Sequence, residues 1–141
     1  MPKMIFVSLP VTDLQASIAF YKALGFRQNP QFSDEASACM VWSEAIYVMV
    51  MSKDKWAQFT DRPICPQGSS EVALNIAVDS REAVDAFAEA AGAHGGTVDV
   101  NPPQDHGFMY GRDVLDPDGH VWGPMWMDPA AANGEPAAAS A

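Results

Sequence analysis

Residues 10–25, Pro-Val-Thr-Asp-Leu-Gln-Ala-Ser-Ile-Ala-Phe-Tyr-Lys-Ala-Leu-Gly, decide the fold once they are laid over residues 77–92, Ala-Val-Asp-Ser-Arg-Glu-Ala-Val-Asp-Ala-Phe-Ala-Glu-Ala-Ala-Gly. The two segments align without a gap. Val11 falls on Val78, Phe20 on Phe87 and Gly25 on Gly92, each pair 67 positions apart (78 − 11). Each pair reads as one structural event: a strand end, a mid-helix core residue and a glycine helix stop. A self-similar period of this kind is the first feature to resolve in a fold.

Working outward, residues 4–11 read as a strand. Ile5, Val7, Leu9 and Val11 form one face, and Phe6, Ser8 and Pro10 the other. Thr12 and Gln15 fit a capping box for the helix that follows. Leu14, Ile18, Tyr21 and Leu24 form its apolar stripe, and Gly25 ends it. Residues 38–43 and 46–51 predict a hairpin in which Tyr47, Met49 and Met51 alternate with Ile46, Val48 and Val50. A short helix near Trp56–Phe59 and a Pro/Gly-containing linker follow. Residues 72–78 repeat the opening strand, with Ala73, Asn75 and Ala77 on one face. Ser80 caps a second helix with Val84, Phe87, Ala88 and Ala91 buried and Gly92 at its end. Strands near 108–115 and 120–127 flank the turn Asp116-Pro117-Asp118-Gly119.

The expected fold class is α+β: two βαβββ modules, each a curved half-barrel sheet with its helix outside. The first module takes residues 1–65, with a linker from about 52. The second takes 70–128, and 129–141 is an Ala/Pro/Gly-rich tail expected to be disordered. A module this small cannot cover both sheet faces, so the face away from the helix is available for chemistry.

Composition limits the functions. The chain has 141 residues, 48% hydrophobic and 18% charged, with a net charge of −10. That balance disfavours nucleic acid and anionic membranes as partners, since little here neutralises phosphate. Two cysteines without metal spacing, no apolar run at the N-terminus and no membrane-length segment lead to the expectation of a cytoplasmic protein.

Several motifs resemble the vicinal oxygen chelate superfamily, which includes glyoxalases, bleomycin-resistance proteins and extradiol dioxygenases. Leu9-Pro10-Val11-Thr12-Asp13-Leu14, then Ser17, Phe20-Tyr21 and Leu24-Gly25-Phe26, look like its first βα unit. Asp116–Trp122 looks like its last hairpin. Gln104–Arg112 and Met125–Asp128 are similar to a bacterial glyoxalase-like branch, often labelled "predicted lactoylglutathione lyase". The likeness spans about residues 4–128. It implies a site on the open face of each half-barrel, where the family's enzymes hold one metal through His and Glu side chains. Carried over by position, those ligand places are Phe6, Met49, Ala73 and Gly123. A slip of two residues would bring in Tyr47 or Met51, and Glu71 or Asn75. None of the four primary residues is a hard-cation ligand, so no metal and no other cofactor is expected.

The candidate ligand cavity is therefore Phe6, Ser8, Tyr47, Met49, Met51, Ala73, Asn75, Gly123 and Met125, adaptable through methionine and apolar or aromatic in taste. Tyr110 and Arg112, sharing one strand face, and His106 beside Asp105 are the candidate catalytic groups. His120 shares parity with Trp122 and reads as structural. The leading expectation is a metal-free protein binding a small apolar or aromatic molecule. The alternative is a lyase, isomerase or dioxygenase using displaced ligands such as Glu71, His106 or His120, or metal-free acid/base catalysis. A scaffold acting only in oligomerisation is the third reading. The resemblance also implies a homodimer.

Overall fold

The structure, a computed structural model, describes residues 3–132. It divides into two units, with the boundary between Ser69 and Ser70.

In the first unit, β1 (Ile5–Val11) leads into α1 (Leu14–Leu24), β2 (Arg27–Asn29), a 3-10 turn at Pro30–Phe32, β3 (Ser37–Val41), β4 (Ile46–Ser52) and α2 (Lys53–Phe59). The strand order is β1-β4-β3-β2, with β1 parallel to β4 and the other pairs antiparallel. A parallel pair needs a long crossover, and α1 begins it. The buried stripe of α1 is Ser17, Ile18, Phe20, Tyr21 and Leu24. Against it lie Leu9, Val11, Met40, Val48 and Val50, all buried. Phe20 and Tyr21 meet edge-to-face at 5.1 Å, and Tyr21 meets Phe26 the same way at 5.3 Å. A fully buried aromatic or aliphatic side chain of this kind contributes about 1.5–3 kcal/mol. Ser17 Oγ, inside this layer, has no hydrogen-bond partner among the described residues.

The N-cap of α1 is Asp13, one residue beyond the expected Thr12. Asp13 is extended (φ −126°), and its carboxylate accepts the Ala16 N–H at 3.1 Å. Gly25 ends the helix at φ +112°, where an L side chain is strained. The N–H of Phe26 closes the cap on Tyr21 O.

The second unit repeats the plan. β5 (Ala73–Ala77) precedes α3 (Arg81–Ala93), β6 (Thr97–Val98), β7 (Gln104–Asp105), β8 (Met109–Gly111), β9 (Val114–Leu115) and β10 (Val121–Met127). β5 is parallel to β10. β8 and β9 run antiparallel along the other side of β10, and β7 and β6 pair outside them. β8 and β9 are one strand broken at Arg112-Asp113, and Pro124 of β10 explains the break. Arg112 donates its N–H to Pro124 O at 3.2 Å, but proline has no N–H to return. Trp122, Pro124 and Ile76 are buried on the α3 side. The β9–β10 turn is held by buried Asp116, whose Oδ1 accepts from the N–H groups of Asp118 and His120.

Two expectations change here. Gly92 lies inside α3, which runs on to Ala93 with His94 as its cap, so Gly25 and Gly92 are not the same event. Gly92 instead lets the helix approach β6: a Cβ there would stand 2.8 Å from Val98 Cγ2. In the expected tail, Pro129–Ala132 form one helical turn, α4, and Ala130 N donates to Asp128 Oδ1. The remainder, 133–141, lies outside the described residues. Both modules fit the curled half-barrel expected from the repeat.

The caps lead to a direct expectation. Asp13→Ala and Ser80→Ala each remove a side-chain acceptor from a helix N-terminus and should each cost about 1 kcal/mol in urea unfolding. An unchanged midpoint in either variant would show that its helix does not depend on its cap.

Candidate functional site

In the first unit, register settles which residues share the face away from α1. Phe6 lies opposite Tyr47, Ser8 opposite Met49 and Pro10 opposite Met51. Paired residues point the same way. The rings of Phe6 and Tyr47 stack at 4.5 Å with 11° between planes, and the Tyr47 hydroxyl donates to Glu44 O. Phe6 is 55% exposed, Ser8 is exposed, Tyr47 and Met49 are half-buried, and Met51 is buried. Five predicted cavity residues are thus gathered on one sheet face, with an open aromatic platform at its edge strand. Cys39, opposite Met49, is buried on the same face, and burial pushes its thiol pKa up.

In the second unit, Ala73, Asn75 and Ala77 of β5 align with Val121, Gly123 and Met125 of β10, on the face away from α3. Ala73, Asn75, Gly123 and Met125 are therefore gathered as well. Gly123 has a steric role here. A Cβ on it would fall 2.1 Å from Asn75 Oδ1 and 3.0 Å from Asp113 Oδ1. Two side-chain oxygens thus stand over one bare Cα. Asp113 is held there through its other oxygen, which accepts from Asn101 Nδ2 at 2.9 Å. Sequence reasoning left Asp113 out, although strand parity holds through the β8–β9 break: the Gly111–Met125 and Leu115–Val121 pairs share one register, which sets Asp113 opposite Gly123. Its alternation with Tyr110 and Arg112 was the available signal.

The three candidate catalytic residues lie elsewhere. Gly111 shares the Met125 side, so Tyr110, its neighbour, points to the α3 side. There the Tyr110 hydroxyl donates to Asp85 of α3 at 2.6 Å, and Arg112 Nη1 donates to the same oxygen at 2.9 Å. Arg112 also forms a two-bond fork with Asp99 at 3.0 and 2.9 Å. Asp99 adopts φ +57°, a backbone strained for most residues but tolerated by Asp. Arg81 lies over the rings of Tyr110 and Trp126, 5.2 Å from each centroid, and pairs bidentately with Asp105. The hydrogen bond to Asp85 raises the Tyr110 pKa, and that same bond, with Arg112, lowers that of Asp85. Asp105 is drawn down to about 2, first by Arg81 and then by the Gly107 N–H. Tyr110 and Arg112 are thus engaged in a network between α3 and β8. His106 sits in the β7–β8 turn, half-buried, with its N–H on Met109 O. The structure does not bring these three together with the Asn75–Gly123 face. His120, also half-buried, immediately precedes β10 with its N–H on Asp116.

The family model of the Glyoxalase/Bleomycin resistance protein/Dioxygenase superfamily matches residues 3–123, and the chain belongs to that superfamily. No curated protein matches it. Among solved structures, a hypothetical protein of S. aureus is 27% identical with a TM-score of 0.74, covering 89% of this chain and 95% of its own. A superfamily enzyme of Burkholderia phytofirmans PsJN is 22% identical with a TM-score of 0.72, covering 89% and 99%. The fosfomycin resistance protein FosX of Mesorhizobium loti is 14% identical with a TM-score of 0.67, covering 94% and 98%, and shows the shared fold alone.

The residues at the positions to which the resemblance carries the superfamily's ligands do not fit a divalent metal. Phe6 and Ala73 offer no donor, Gly123 has no side chain, and Met49 offers only a thioether. Asn75 and Asp113 are one amide and one carboxylate, fewer than the several side-chain donors a tight site uses. Among the described residues, no group of three or more His, Cys, Asp or Glu could hold a metal ion.

Two outcomes follow from the α3–β8 network. Tyr110→Phe should lower stability by about 1 kcal/mol, since a charge-assisted bond is removed at a partly solvated site. Asp105, seen by carbon NMR, should titrate near 2. Its folded pKa is depressed, so its contribution is fully present above the ordinary carboxylate range and is lost as pH falls through about 2. Arg81→Ala should move that midpoint upward; a midpoint already near 4 in the wild type would contradict the ion pair.

Proposed function

We propose that this chain binds a small apolar or aromatic molecule on the sheet faces away from its helices, without a divalent metal. One observation carries the reading. The positions where the superfamily supplies metal ligands hold Phe6, Met49, Ala73 and Gly123, and the first of these is an exposed ring stacked on Tyr47. An open aromatic pair with half-buried methionine beside it suits a planar apolar ligand, through stacking and a deformable thioether wall. Burying such a molecule needs no charge, while desolvating a divalent ion against these walls would be strongly unfavourable.

The protein acts as a homodimer in the cytoplasm, with no nucleic-acid or membrane partner. Both cysteines are free, buried Cys39 and exposed Cys65, which suits a reducing compartment. No helix among the described residues is long and apolar enough to cross a membrane. Met4 and Ile5 leave apolar surface exposed at the start of β1, which suits burial against a second copy.

Elemental analysis of protein purified without chelators or a histidine tag should find far less than one zinc, nickel or iron per chain, before and after back-titration. One tightly held metal per chain, lost on changing a residue near Phe6 or Gly123, would instead support the enzyme reading. Phe6→Ala should weaken binding of aromatic probes about fivefold, equivalent to ~1 kcal/mol of stacking. Light scattering at micromolar concentration should give twice the 15.2 kDa chain mass; a monomer would overturn the dimer.

A further inference from the structure

We propose that Asn75 and Asp113, standing over Gly123, form an acceptor subsite that takes a protonated amine, so that the ligand is an aromatic or apolar ammonium compound. The proposal rests on the binding face described above and names the polar group it selects.

Asn75 lies exposed on β5, in register with Gly123, and its amide has no hydrogen-bond partner among the described residues. Asp113 spends one oxygen on Asn101 and leaves Oδ1 free. Both free oxygens lie within 3.0 Å of the point where a Gly123 Cβ would sit. A carboxylate can only accept hydrogen bonds, and an amide oxygen likewise only accepts. Two acceptors facing the same point suit a donor placed between them. An ammonium group supplies three donors and no acceptor, and its charge matches Asp113. An anionic group would meet only acceptors there. The net charge of −10 adds a field that favours cations over anions as ligands.

Gly123 is what makes the pair accessible. Any side chain would displace Asn75, because contacts of 2.1 Å do not occur for real Cβ atoms. Arg112 does not compete for Asp113. Its guanidinium is committed to Asp85 and Asp99 on the α3 side. Asn101 orients the carboxylate without neutralising it.

The test is a proton–nitrogen NMR titration of the full chain with three probes that differ in one group: phenethylammonium, 2-phenylethanol and 3-phenylpropionate. Phenethylammonium should bind tightest and shift the amides of Asn75, Asp113 and Gly123. Asp113→Asn, which keeps the shape and removes the charge, should weaken it about tenfold and leave 2-phenylethanol within twofold. Gly123→Ala should produce a comparable loss by displacing Asn75. Asn75→Ala, at an exposed edge-strand position, serves if Asp113→Asn loses its fold. Equal affinity of wild type and Asp113→Asn for phenethylammonium would overturn the subsite. It would mean that the Asn75 amide has turned its Nδ2 onto Asp113 and closed the pair. If 2-phenylethanol still binds in that case, the apolar face stands and only the amine assignment fails. If none of the three probes binds, the binding face fails and this proposal falls with it.

Discussion

The parallel pairing of first and last strand in each unit is the constraint on which the rest depends. β1 lies beside β4 and β5 beside β10. Parallel neighbours cannot be joined by a tight turn, so the chain must leave the sheet and return, and a helix makes that excursion. The helix then buries one face, through Phe20 and Tyr21 in the first unit and Val84 and Phe87 in the second. The opposite face is left without a long helix of its own within the unit; in the first unit only the short α2 reaches it, where Lys55 donates to Ser37. Every candidate ligand residue, from Phe6 to Met125, sits on that second face because strand alternation puts it there. Fold and site are therefore one consequence of a single pairing rule, repeated.

Much of this was legible because it rests on alternation. The partition of β1 into a Val7/Leu9/Val11 face and a Phe6/Ser8 face holds, as does that of β5 into Leu74/Ile76 and Ala73/Asn75. What was not legible depends on local competition for backbone groups. Thr12 and Asp13 are adjacent residues that both make good caps, and spacing alone could not choose between them. Asp13 has the carboxylate that reaches Ala16. Gly92 matches Gly25 by position but not by conformation, because α3 runs thirteen residues against eleven in α1. A repeat preserves the order of elements more faithfully than their ends.

Tyr110 and Arg112 show the limit of parity as a guide to function. Their shared face was readable, and they do act together. The sequence could not say that this face is the one α3 covers. Asp85, between buried Val84 and Phe87, was the overlooked signal. A carboxylate on the flank of a buried helical stripe needs partners, and a Tyr/Arg pair on a neighbouring strand supplies them. The same residue types that could polarise a substrate here fasten a helix to a sheet. With Arg81 stacked over Tyr110 and Trp126, the cations of this unit are concentrated on the covered side.

That concentration bears on the open side. Arg81 and Arg112 are both saturated by carboxylates on the α3 face, so Asp113 meets no arginine where it faces Gly123. Alternation alone sends Arg112 and Asp113 to opposite faces, since one register runs from the Gly111–Met125 pair to the Leu115–Val121 pair. Pro124 cannot return a hydrogen bond to the strand beside it, so the ladder is interrupted there without a change of register. Gly123, the preceding residue, leaves the space that the carboxylate and Asn75 fill. The Gly before that proline thus leaves two side-chain oxygens where a Cβ would otherwise stand.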